Sequence, residues 1–113
     1  MGQRAGSRRT PARDFEVTYS LTPEADAELT DAVNFCVANF GVNAAKDFLA
    51  AFAQKAELLV EFPGLGTPTT KGRSLYPIGR YPFSILYRSQ GGHLRISAIA
   101  AHSRRPRYWQ NRP

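Results

Sequence analysis

Residues 22–64 read TPEADAELTDAVNFCVANFGVNAAKDFLAAFAQKAELLVEFPG. Thr22-Pro23 is a helix-start pair, with a hydroxyl at the N-cap and a proline at the first helical position, where a missing N–H does no harm. Ala25, Leu29, Ala32, Val33, Cys36, Val37 and Phe40 then recur at helical spacing, and Glu24, Glu28 and Asp31 fall on the opposite face, expected to be solvated. Gly41 is placed to close this helix. Asn43 is placed to cap a second one, whose stripe of Phe48, Phe52, Leu59 and Phe62, with Ala45, Leu49 and Ala56 alongside, runs to Pro63-Gly64. A link of two or three residues makes the pair an antiparallel hairpin. Cys36 lies on the apolar stripe and reads as a buried structural thiol.

Working outward, Phe15, Val17, Tyr19 and Leu21 alternate with Glu16, Thr18 and Ser20, the pattern of a strand. After a Gly-, Pro- and Thr-rich loop over 65–72, three more strand patterns follow at 74–78, 81–88 and 94–102. In the last of these Leu94, Ile96, Ala98 and Ala100 alternate. Gly79-Arg80 and Ser89-Gln90-Gly91-Gly92 are the hairpin turns between them. Pro77 and Pro82 remove ladder donors, so the first hairpin lies at an edge or a bulge. The order is β-α-α-β-β-β: an α+β domain over 15–113, with a helical hairpin packed on an antiparallel sheet. Residues 1–14, almost without apolar side chains, are expected to be a disordered basic arm.

The chain has 113 residues, enough for one domain, and 42% of them are hydrophobic. No apolar run approaches the ~20 residues that a membrane span needs. No apolar stretch follows Arg4, Arg8 and Arg9 as a secretion signal requires, and the single cysteine excludes an internal disulfide. The expected location is the cytoplasm. Charge is unevenly spread. Residues 15–62 carry eight acids and two lysines, whereas residues 63–113 carry nine cations and no acid. Such segregation implies an anion-attracting surface, with nucleic acid or an acidic protein segment as partner.

Phosphate-binding glycine loops, HExxH and CxxC motifs are missing, and the carboxylates all precede residue 62, so neither a metal nor a cofactor is expected. What remains is a basic group near the sheet and the tail: Arg73, Arg80, Arg88, His102, Arg104, Arg105 and Tyr108. A metal-independent ribonuclease needs a base for the 2′-hydroxyl, a cation for the phosphorane and an acid for the leaving oxygen. His102 with arginines fits those roles, although a lone histidine at a strand end is more often structural. His93, beside a Gly-Gly turn, reads as solvated. Tyr108 and Trp109 among arginines suit contact with a nucleic acid or a protein. The other reading of the same two rings, that they fold back on the core and pin the C-terminus, stays open.

Four segments in order carry a resemblance: Leu21-Thr22-Pro23-Glu24-Ala25, Phe62-Pro63-Gly64-Leu65-Gly66, the run from Gly79-Arg80-Tyr81 to Ile85-Leu86-Tyr87-Arg88, and His102-Ser103-Arg104-Arg105-Pro106. Over about residues 15–109 the chain resembles the RelE/ParE toxin superfamily. The resemblance implies a small bacterial toxin neutralised by a cognate antitoxin in a hetero-oligomer, and it agrees with the basic surface, because antitoxins present acidic segments. It leaves two targets. A ParE-like toxin poisons DNA gyrase without being a nuclease, and Arg73, Arg104, Arg105, Tyr108 and Trp109 would contact the target. A RelE-like toxin cuts mRNA on the ribosome, and His102, Arg80 and Arg88 would be catalytic. The Arg-Arg-Pro-x-Tyr-Trp ending and the lack of a lysine cluster favour the ParE side.

Overall fold

The computed structural model describes residues 18–103, 108–110 and 112. The expected arm over 1–14 lies outside them. The elements are β1 (Tyr19–Leu21), α1 (Pro23–Phe40), α2 (Val42–Glu61), β2 (Thr67–Pro68), β3 (Ser74–Pro77), β4 (Phe83–Gln90) and β5 (His93–Ala101). The five strands form one sheet in the order β1-β5-β4-β3-β2. Both helices cover one face.

Thr22 starts α1 as its sequence requires. Its Oγ1 accepts from the Ala25 amide at 3.1 Å and donates to the Ser97 carbonyl at 3.3 Å, so the cap also ties the helix to the sheet. The link between the helices is Gly41 alone, shorter than expected. At φ 96° it adopts a conformation that favours glycine; its amide closes α1 on the Val37 carbonyl and its carbonyl accepts from Ala45. Because α2 begins at once, Asn43 lies inside the helix and the expected side-chain cap is missing.

The core between the layers is built from Ala25, Ala32 and Cys36 of α1, from Phe48, Phe52, Ala56 and Leu59 of α2, and from Ile85, Tyr87, Leu94, Ile96 and Ile99 of the sheet. A fully buried side chain such as Phe48 contributes about 1.5–3 kcal/mol. Val37 and Phe40, counted on the apolar stripe from spacing, are exposed in the last turn of α1, beside the Gly41 link.

Besides a short extra strand, β2, inside the expected loop over 65–72, and a later start of β4, the sheet departs from the sequence reading in two larger ways. It is mixed, because β1 runs parallel to β5, Tyr19 opposite Leu94 and Leu21 opposite Ile96. β2, β3, β4 and β5 alternate in direction, so β2 runs against β1 and the last strand, β5, comes to lie beside β1 in the same sense. The second departure is a bulge. Leu86 faces Ala98 and Tyr87 faces Ile96, which leaves Ser97 unopposed. The extra residue turns everything after it to the other face. Leu94 and Ile96 therefore point at the helices, Ile99 takes over the core, and Ala98 and Ala100 face away with Leu86. Finally, β4 starts two residues later than its pattern. Tyr81 and Pro82 belong to a tight turn in which Tyr81 donates to Ile78 and Ile78 donates to Phe83.

Candidate functional site

The sheet face turned away from the helices carries an apolar strip of Leu86, Ala98 and Ala100, and Trp109 lies on it, 5% exposed. Arg73 holds that arrangement. Its guanidinium donates to the carbonyls of Arg112 at 2.8 Å and Gln110 at 2.9 Å, and lies 5.5 Å from the Trp109 ring centroid. Burial first, then the charges of Arg88 and Arg112, push its pKa down. At 1% exposure Arg73 has no surface to offer a target. Its donors satisfy the carbonyls of Gln110 and Arg112, so the side chain helps to anchor the tail.

Glu28 completes the anchor. Its Oε1 accepts from the Ile99 amide at 3.0 Å and from Arg112 at 2.9 Å; its Oε2 accepts from the Tyr108 hydroxyl at 2.8 Å and from Arg112 at 3.0 Å. The two-nitrogen fork of Arg112 matches a carboxylate geometrically. That hydrogen bond raises the Arg112 pKa further, against the opposing effect of burial. Sequence periodicity put Glu28 on a solvated face. The side chain instead bends to the part of β5 that β1 is too short to pair, and caps the amide left open there.

Of the basic group, Arg80 is exposed in the turn before β4, its guanidinium 5.6 Å from the Tyr81 ring. His102 is exposed just past β5. Its Nε2 shares a 2.8 Å hydrogen bond with Ser84 Oγ, and its amide donates to Pro82. Arg88 lies at the other end of β4, donating to the Lys71 carbonyl at 2.6 Å. Four residues of strand separate Ser84 from Arg88, about 13 Å, and the Trp109 strip lies between them. Arg104 and Arg105 lie outside the described residues. His93, expected to be solvated, pairs with Ser20 Oγ at 2.9 Å. Among the described residues no three His, Cys, Asp or Glu side chains converge to hold a metal, and no helix is long and apolar enough to cross a membrane.

A groove of about 380 Å³ opens beside the anchor, between α1 and the ends of β4 and β5. Phe35, Pro82 and Phe83 supply apolar walls, and Glu28, Asp31 and Tyr108 the polar rim. Phe35 is 42% exposed there.

The family model described as "ParE toxin of type II toxin-antitoxin system, parDE" matches residues 19–106. The chain belongs to the ParE toxin family. It is therefore a type II toxin, and membership implies a cognate antitoxin as partner. A solved structure titled "Chromosomal ParDE TA system from P. aeruginosa" has the same fold, with a TM-score of 0.65 and 24% identity over 75% of this chain and 95% of that one. A search of the curated proteins found no match. The matched residues include both helices and the sheet, and Tyr108 and Arg112 lie beyond them.

The sequence reading missed Glu28 and Arg112. No local pattern marks them, since the pair is 84 residues apart. The one available signal is a glutamate one helical turn beyond Glu24 in a stretch otherwise carrying its acids outward.

Proposed function

We propose that this ParE-family toxin arrests growth by poisoning DNA gyrase in the cytoplasm, as a binding protein and not as a nuclease, until its antitoxin removes it in a hetero-oligomeric complex. The observation that carries this reading is the separation of Arg88 from His102. A base, a phosphate-holding cation and an acid must converge on one phosphodiester, and roughly 13 Å of strand with a covering tryptophan divides two of the three candidates. The target contacts we assign to Arg104 and Arg105, which follow His102, whose amide is tied to Pro82, and precede the anchored Tyr108 in the chain. Tyr108 and Trp109 serve by holding the returning chain. In a supercoiling assay with purified toxin, inhibition reversed by the antitoxin, or trapped cleaved DNA, is expected. Absence of both at micromolar toxin would sink the reading.

One observation favours mRNA cleavage as a second reading. The amide of His102 is tied to Pro82, so the exposed imidazole and the Arg80 turn share one end of the sheet. If those two residues cut RNA, His102→Ala lowers cleavage at least ~100-fold, read from mapped mRNA ends after induction, while gyrase inhibition would be untouched by the same change.

A further inference from the structure

The other end of the same sheet face carries a row of charge, from which the mRNA-cutting reading would draw Arg88 alone. Arg88 and Arg95 stand directly opposite each other on β4 and β5, and Ser20 of β1 is opposite Arg95 in turn. Arg95 donates to Ser20 Oγ at 3.0 Å, and Ser20 also holds His93. On the far side, Arg88 grips the carbonyl of Lys71, a residue in left-handed backbone at φ 61°. Like charges directly opposite across an antiparallel pair oppose folding. Among the described residues neither arginine has a carboxylate in ion-pair range, and the described acids lie on α1 and α2, across the sheet. The potential is felt inside the protein, where Arg88 helps depress the pKa of buried Arg73.

We propose that Arg88 and Arg95, with Ser20, His93 and Lys71 flanking them, form a binding row for the phosphodiester backbone of nucleic acid. The choice of phosphate over an acidic peptide rests on what surrounds the row. Peptide recognition is anchored by apolar side chains in pockets, and the apolar strip of this face is already occupied by the chain's own Trp109. Backbone phosphates need only cations, and guanidinium forks suit them. The row reads no sequence; it adds affinity and orientation. It does not depend on gyrase being the target.

The test is anisotropy titration of the full chain against short labelled duplex DNA and single-stranded RNA of arbitrary sequence. Each arginine in contact steepens the fall of log affinity with log salt by about 0.9 on duplex DNA and about 0.7 on a single strand. Arg88→Gln and Arg95→Gln are each expected to make that slope shallower by this amount, and the double variant by twice as much. Arg88→Lys and Arg95→Lys keep the charge and the slope, which separates loss of contact from loss of fold; Lys46→Gln, on α2, changes nothing. A shallower slope on DNA alone assigns the row to duplex, on RNA alone to single strands, and either upholds it. A folded double variant with the parental slope on both overturns the proposal. So does a glutamate homopeptide that competes as well as nucleic acid of equal charge.

Discussion

Replacing Glu28 with alanine removes the one carboxylate that joins α1, β5 and the C-terminal tail. Two neutral donors lose an ionised acceptor, the Ile99 amide and the Tyr108 hydroxyl. At the lower end of the range for hydrogen bonds to charged groups, about 1.5 kcal/mol each, they account for roughly 3 kcal/mol. The Arg112 fork adds less than its geometry suggests, because the Arg112 and Glu28 side chains are 23% and 13% exposed and water replaces part of what is lost, so about 0.5–1 kcal/mol is taken for it. Water reaching the opened site gives some of this back, and about 3 kcal/mol is expected. For a chain of this size that lowers the melting temperature by roughly 12 °C. The assay has a built-in probe, since Trp109 is the only tryptophan. Glu28→Ala is expected to red-shift its emission while far-UV circular dichroism keeps its native shape, because the tail loosens before the helical layer does. Glu28→Gln keeps an acceptor for Ile99 and loses less, and a double-mutant cycle with Arg112→Ala returns a coupling of about 1 kcal/mol. A loss below about 1 kcal/mol for Glu28→Ala, with unshifted emission, would refute the anchoring role.

Other consequences are local. At Gly66 the constraint is space: an added Cβ would come 2.5 Å from the Tyr87 hydroxyl and 3.0 Å from Ser74 Cβ, while the backbone is ordinary at φ −75°. That hydroxyl is fixed between the Pro63 carbonyl and the Gly66 amide, so Gly66→Ala is expected to cost about 1–3 kcal/mol in denaturant titration. Thr22→Ala deletes the α1 cap and its bond to Ser97, and is expected to cost about 1–2 kcal/mol, with Thr22→Ser recovering most of it. Burial pushes the Cys36 thiol pKa up and shields it, so a thiol reagent should label the native protein only at the rate of unfolding; prompt labelling at neutral pH would contradict the packing. The Tyr19 pKa is raised by burial and then by Glu57. Between its unfolded value near 10 and the higher folded one, the unfolded chain has lost a proton that the native state keeps, so stability falls as pH rises through that window. Tyr19→Phe should flatten the fall.

The helical hairpin was legible in the sequence because its determinants are local. A hydroxyl and a proline start α1, Gly41 turns the chain, and the 3.6-residue period names Ala25, Ala32, Cys36, Phe48, Phe52 and Leu59 as its buried side. The strand patterns and the glycine turns are local too, and the four motif segments in order placed the chain in its superfamily. Charge counts separated an acidic helical half from a basic sheet half before any fold was known. The tertiary structure decided what depends on registers between distant segments. Whether β1 pairs parallel or antiparallel is set by where the chain returns after the hairpin. The Ser97 bulge inverts a strand's faces by one residue, which alternation cannot reveal because both halves still alternate. Glu28, Arg73 and Trp109 are ordinary residues in sequence. They acquire their roles only when the tail crosses the sheet, where Arg73 meets the Gln110 and Arg112 carbonyls and Glu28 meets Tyr108 and Arg112. Arg88 and Arg95 become neighbours the same way, for a cross-strand pair exists only once the register between β4 and β5 is fixed.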